Sequence, residues 1–319
     1  MSHTTSDVPA VSVRGLTKTF GDFTAVDGVD LVIPAGQIFG FLGPNGSGKT
    51  TTIRMLTGTM RPDAGSIRIL GEDVTRHPHR VQPRIGYMSQ KFALFEDLTV
   101  EQNLKFYAGV YDLPAERYAA QRDYILAMAD LVGREHELTS NLSVGWRQRL
   151  ALGAATIHDP ELLFLDEPTS GVDPVARRQF WDLLYDLAGR GVTLFVTTHY
   201  MDEAAHSNRL AFIYRCRIIA DGSPADLRSR HSQRRILDIT VDDTDRALAW
   251  LEHNDEIDDA YLSGATLHAV LPEGSTTTGE QIRHDLVAAG FSDAHAAEIE
   301  SSIEDIFVNL VTEEQRAAR

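Results

Sequence analysis

The stretch Gly43-Pro44-Asn45-Gly46-Ser47-Gly48-Lys49-Thr50 decides how this chain folds. It reads G-x-x-x-x-G-K-[ST] in full, and its flanks are as informative as its letters. Gln37 to Leu42, just before it, is an apolar run of strand length. Lys49 to Leu56, just after it, has helical spacing and stops at Gly58. Strand, glycine loop and helix in that order form a cradle for phosphate. Glycines let successive N–H groups turn inward, and the helix start adds its positive dipole end. Lys49 is a mobile point charge for the β- and γ-phosphates, and Thr50 offers a hydroxyl to Mg²⁺. Gly43, Pro44, Asn45, Gly46, Ser47, Gly48, Lys49, Thr50 and Thr51 are therefore candidate nucleotide contacts. The loop points to a nucleoside triphosphate and leaves open what is done with it.

Outward from the loop, strand and helix patterns alternate. Val11, Val13 and Leu16 to Phe20 predict one strand, and Val29, Leu31 and Ile33 a second. Ser66 to Leu70 and Ile85 to Met88 predict two more. Thr99 to about Ser140 is expected to be helical, opened by a capping box of Thr99 with Gln102. A helix is expected from near Ser143 to Ile157, a buried strand at Leu162 to Leu165, a helix at Pro174 to Ala188 and a strand at Val192 to Thr197. This alternation predicts an α/β core with a largely parallel sheet. Ser223 starts a short helix, and Arg228 to Arg235 is a charged linker. Beyond it, strands at Ile236 to Val241, Ile257 to Leu262, Ala265 to Leu271 and His295 to Ile299 alternate with helices at Thr244 to Leu251 and Gly279 to Ala289. A last helix is expected at Ser301 to Val311. This is a small α+β domain of ferredoxin-like order.

Leu162-Leu163-Phe164-Leu165 ends in Asp166-Glu167. A buried parallel strand presents its C-terminal end to the ligand crevice. Adjacent side chains point to opposite faces. Asp166 would serve Mg²⁺, and Glu167 would polarise the attacking water.

With these motifs in this order, residues 11–230 resemble the ABC ATPase family, a P-loop NTPase fold. The resemblance implies an ATP-binding cassette over 11–230 with a helical subdomain at about 95–158, followed by an accessory α+β domain at 236–319. It implies that Phe20 stacks on adenine, although an aromatic at a strand end also serves a core. It implies that Gln90 is the glutamine that touches Mg²⁺ and the catalytic water, and that His199 bonds the γ-phosphate. Leu142-Ser143-Val144-Gly145-Trp146 stands where the family has L-S-G-G-Q. Ser143 and Gly145 are kept, while Val144 replaces a glycine and Trp146 the glutamine. Asp173, in Ser170-Gly171-Val172-Asp173, would link two subunits, and it also suits a helix start with Pro174 behind it. In the family the L-S-G-G-Q segment of one copy closes over the phosphate loop of another. The resemblance thus implies a head-to-tail homodimer, or a pair with a paralogous ATPase, docked on integral membrane permease subunits. Asp221-Gly222-Ser223-Pro224-Ala225-Asp226-Leu227 and Ser302-Ile303-Glu304-Asp305-Ile306-Phe307 resemble exporter ATPases for drug-like or lipid-like cargo. The expected cofactors are ATP and Mg²⁺.

Composition fits that reading. No apolar run approaches the ~20 residues that cross a bilayer, and Met1 to Ala10 has no apolar signal segment. A cytoplasmic place, peripheral to the inner face of the membrane, is expected. The formal net charge is −16, and residues 234–319 carry 19 acidic and 6 basic residues, so −13 of it lies there. That acidity argues against nucleic acid as a partner. Cys216, the one cysteine, is expected in a strand-like run as a small buried hydrophobe. Eleven further histidines show no ligand spacing, and no zinc is expected. Two rival readings are a soluble ABC ATPase acting on ribosomes or DNA and a regulatory subunit that binds ATP without hydrolysing it.

Overall fold

The computed structural model describes residues 8–90, 93–231 and 234–317. Residues 232 and 233 of the expected linker, the N-terminal run through residue 7, and residues 318 and 319 lie outside them. The chain divides into two compact units, Met1–Pro224 and Ala225–Arg319.

The first unit holds two sheets. Strands β1 (Val11–Phe20), β2 (Phe23–Ile33), β4 (Ala64–Ile69) and β5 (Glu72–Asp73) form an antiparallel sheet in the order β2-β1-β4-β5. The second sheet contains β3 (Ile38–Leu42), β6 (Ile85–Met88), β7 (Leu162–Asp166), β8 (Thr193–Thr198), β9 (Arg209–Tyr214) and β10 (Arg217–Gly222), in the order β10-β9-β3-β8-β7-β6. Its pairs are parallel from β9 through β6, and only the β9–β10 hairpin is antiparallel. The pleat sends alternate residues to opposite faces. Leu162 and Phe164 join the core shared with the antiparallel sheet, whereas Leu163 and Leu165 pack toward Phe180, Trp181 and Leu184. A strand buried on both faces has to be apolar throughout, which is why β7 reads as an unbroken hydrophobic run.

Helix α1 (Lys49–Leu56) follows the glycine loop, and the short α2 (Pro78–Val81) precedes β6. Between β6 and β7 lie α3 (Val100–Val110), α4 (Ala115–Met128) and α5 (Val144–Thr156), and α6 (Pro174–Gly189) follows β7. The helical expectation for Thr99 to Ser140 needs correction. Helix α3 does begin at a Thr99–Gln102 capping box. The helical run then breaks twice, at Asp112 with φ 51° and at Asp130 with φ 57°. Left-handed backbone ends a right-handed helix, and Pro114, the residue before α4, lacks the N–H that a continuing helix needs.

Two further expectations change. The strand β9 carried no separate prediction. Cys216 sits in the turn after it: Arg215 and Cys216, at φ 45° and 70°, form a two-residue hairpin loop between the paired Tyr214 and Arg217. Such loops take positive φ at both positions because that matches the strand twist. Cys216 is buried there, and burial pushes its thiol pKa up. The first part of the expected linker is helix α7 (Pro224–His231).

The second unit contains β11 (Ile236–Thr240), α8 (Thr244–Leu251), β12 (Asp259–Ser263), β13 (Thr266–Val270), α9 (Gly279–Ala288), β14 (His295–Ile299) and α10 (Ile303–Ala317). Its sheet is antiparallel with order β12-β13-β11-β14, the ferredoxin-like split arrangement. Helix α10 runs further than Val311.

Candidate nucleotide site

Four parallel strands lie side by side in the order β3, β8, β7, β6. Leu42 pairs with Thr198, Thr197 with Asp166, and Leu165 with Met88. In-register ends deliver their next residues to one place: Gly43 after β3, His199 after β8, Glu167 after β7 and Gln90 beyond β6. Four residues far apart in sequence become neighbours through strand order alone.

The glycine loop enters through two positions where only glycine fits. A Cβ on Gly43 would lie 2.2 Å from the Ile213 carbonyl oxygen. Gly48, at φ 106°, would bring one 2.3 Å from the Ala25 oxygen. Lys49 is buried, and its ammonium donates to Gly43 O at 2.8 Å and Pro44 O at 3.1 Å. It also lies 3.3 Å from Glu167 Oε1.

Glu167 is the hub. Gln90 Nε2 donates to its Oε2 at 2.9 Å. His199 Nδ1 lies 3.2 Å from the same oxygen, close but not aligned as a hydrogen bond. The Glu167 backbone adopts φ 49°, a conformation that costs on the order of 1–3 kcal/mol for a non-glycine residue. Its N–H is held by Thr197 O at 3.1 Å and Thr197 Oγ1 at 3.0 Å. The same hydroxyl donates to Asp166 Oδ1 at 2.7 Å. Thr197 was not singled out in the sequence. Its role follows from β8 lying beside β7, an adjacency that only the strand order reveals.

Of these groups Gly48, Lys49, Gln90 and Glu167 border a cavity of about 500 Å³, lined also by Phe23, Ala25, Asn45, Gly46, Thr50 and Thr51. The lining aromatic is Phe23, which pairs with Phe20 across the β1–β2 turn. Both rings are exposed. The residues present fit a Mg-triphosphate. Ser47 Oγ is buried without a partner, and α1 begins at Gly48 with no side-chain cap and no acidic residue in its first turn. An uncapped helix start leaves N–H groups free for an anion. Asp166 is a carboxylate with 2% exposure, an oxygen donor of the hard kind that Mg²⁺ takes.

Ser143, Gly145 and Asp173 stand apart from that lining. Ser143 caps α5 by accepting from Trp146 N at 3.4 Å. A Cβ on Gly145 would come 3.2 Å from Ala176 Cβ. Asp173 caps α6 by accepting from Val175 N and Ala176 N, each at 3.0 Å. The Trp146 ring packs on the α3–α5 core, and the Arg134 guanidinium covers it at 3.7 Å.

The profile of the ABC transporter family matches residues 26–170. A probable multidrug ABC transporter ATP-binding protein, YbhF of Escherichia coli (strain K12), is 44% identical over 246 residues, covering 75% of this chain and 42% of that protein. The chain therefore spans less than half the length of that relative. A Nod factor export ATP-binding protein of Ralstonia nicotianae is 36% identical over 311 residues, covering 97% of this chain and 95% of that one. A daunorubicin resistance ATP-binding protein of Streptomyces coeruleorubidus is 41% identical and covers 71% and 72%. Among solved structures, an ATP-binding subunit of an ABC transporter matches with TM-score 0.64 and 25% identity, covering 70% of this chain and 93% of that one. The subunit cbiO1 of Clostridium perfringens, part of the cbiONQ transporter complex, gives the same TM-score and identity over 69% and 91%.

Proposed function

The chain belongs to the ABC transporter ATP-binding family, and from that premise we propose that it binds and hydrolyses Mg-ATP to drive an exporter. The observation that carries this reading is the single carboxylate of Glu167, which Lys49, Gln90 and His199 approach at 3.3, 2.9 and 3.2 Å at the mouth of the phosphate loop. A carboxylate so placed can orient a water toward a bound γ-phosphate.

Each residue then has its own task. Backbone N–H groups of the loop and the Lys49 ammonium hold the triphosphate. Thr50, Gln90 and Asp166 would hold Mg²⁺, which when bound would supply positive charge against the phosphate oxygens. Glu167 takes the water's hydrogen bond. His199 sits where it can donate to the γ-phosphate. Phe20 or Phe23 supplies a π-face for the base. Ser143, Gly145 and Asp173 serve the nucleotide of a second copy, or of a paralogous ATPase, packed head to tail.

No helix among the described residues is long and apolar enough to cross a membrane. In this proposal a separate permease supplies the pathway and the pair works at its inner face, a reading supported by the transporter-complex neighbour cbiO1. The acidic second unit is an accessory domain. Drug-like or lipid-like cargo is favoured by the multidrug, daunorubicin and Nod factor relatives. The test is ATP turnover by the chain co-purified with its permease. Hydrolysis that rises with permease and cargo supports the proposal. Nucleotide binding without turnover would favour a regulatory subunit instead.

A further inference from the structure

Glu203 follows His199 in the short helical segment Met201–His206 and is only 1% exposed. Its Oε1 accepts from the Thr169 hydroxyl and lies 3.7 Å from Arg177 Nε. Its Oε2 has no hydrogen-bond partner. Burying a carboxylate is costly unless its partners offset the loss of water. An incompletely satisfied buried acid is therefore a poor choice for stability alone.

Its neighbours belong to three segments that meet the catalytic residues. Thr169 lies two positions after Glu167 and starts the turn closed by Val172 N donating to Thr169 O at 3.2 Å, one residue before Asp173. Arg177 lies in the first turn of α6, where its N–H donates to Asp173 O at 2.9 Å. Its guanidinium sits 4.2 Å over the Tyr200 ring. That ring lies 4.1 Å from His199, and Glu203 N donates to Tyr200 O at 3.3 Å. His199 in turn faces Glu167 Oε2. The chain from Glu167 to Thr169, with these contacts through Glu203, Tyr200 and His199, closes a ring back to Glu167.

We propose that Glu203 is a positioning residue for hydrolysis, whose carboxylate ties the Thr169–Asp173 turn to the Tyr200–His199 turn. A displacement of the first turn then moves His199 relative to Glu167. The inference rests on the reading that Glu167 and His199 act on bound ATP. A carboxylate that holds two turns, and touches no nucleotide itself, affects turnover more than binding.

The experiment is single-turnover hydrolysis of Mg-ATP by the full chain in excess, with nucleotide affinity measured alongside. Glu203→Gln keeps the shape and removes the charge. Thr169→Val removes the hydroxyl from the other side, and Thr169→Ser restores it. The expected result is a fall in rate of about tenfold or more in Glu203→Gln and Thr169→Val, affinity within about threefold of the parent, and recovery in Thr169→Ser. Thr169→Val carries the test if Glu203→Gln fails to fold. Parental rates in Glu203→Gln and Thr169→Val, or losses matched by equal losses of affinity, overturn the proposal. Glu167→Gln is the control. If it hydrolyses ATP like the parent, or the parent itself does not hydrolyse, the underlying reading has failed. If only Glu203→Gln and Thr169→Val are silent, this proposal alone has failed.

Discussion

The Thr197 hydroxyl donates to Asp166 Oδ1 across 2.7 Å and at the same time accepts from the Glu167 N–H at 3.0 Å. One hydroxyl thus fixes the Asp166 carboxylate and the Glu167 backbone at the end of β7. Thr197→Val should keep the β-branched shape and leave Asp166 without this donor. Losing a hydrogen bond to a buried charged group costs about 1.5–3 kcal/mol. Turnover should fall about tenfold or more while Mg-ATP binding changes less, as read by steady-state kinetics and equilibrium binding.

Lys49→Ala removes the charge that bridges Gly43 O, Pro44 O and Glu167 Oε1. It leaves Glu167 buried without its cationic neighbour. Nucleotide affinity should fall by about a hundredfold or more, since one charge-assisted contact to phosphate and the loop's own closure are both lost. Titration with a fluorescent ATP analogue checks this.

Asp173→Ala separates two roles. Loss of the cap on α6 should lower stability by about 1 kcal/mol, visible as a modest drop in melting temperature. Asp173→Ser keeps a capping oxygen and should restore most of it. If Asp173 also meets a second copy, Asp173→Ser should still weaken ATP-dependent pairing, measured by sedimentation.

In the second unit, Asp305 of α10 accepts from His268 Nδ1 at 2.6 Å and from Tyr261 OH at 2.7 Å, and Ser302 N donates to its other oxygen at 2.7 Å. Burial pushes the Asp305 carboxyl up, but these hydrogen bonds prevail and hold it at about 2. The bond to Asp305 raises His268 above its ordinary value, against the effect of burial. Asp305 contributes stability above the ordinary carboxylate range and loses it as pH falls toward 2. His268 contributes fully below its ordinary pKa and loses it as pH rises through the raised value. Hydrogen-exchange protection of α10 should therefore be greatest at mildly acidic pH and decline toward alkaline pH. His268→Gln should flatten the alkaline decline. An unchanged decline in that variant would contradict the assignment.

Much of this was legible because each signal was local. The glycine loop, the strand ending in Asp166-Glu167 and the Thr99 capping box each require particular residues at fixed spacing. The ferredoxin-like order of the second unit also followed from alternation and turn residues. What stayed hidden depended on strand order. Thr197 matters because β8 lies against β7, and nothing near it in sequence says so. Phe23 lines the cavity because the β1–β2 turn places it opposite Phe20, so an aromatic could be expected there without knowing which. The breaks at Asp112 and Asp130 are not legible because aspartate enters left-handed backbone only occasionally, so its presence in an apolar-periodic run does not announce a helix end.

The central claim is that Glu167 directs water at a triphosphate held by the Gly43–Thr50 loop. Glu167→Gln with Mg-ATP tests it most directly, because the amide keeps the size and shape of the carboxylate and removes its charge and its ability to take a proton. The account predicts that ATP is bound at least as tightly, that the chain pairs in its presence, and that turnover falls about a hundredfold or more. Turnover near the parental rate in Glu167→Gln, or loss of ATP binding in that variant, would contradict it.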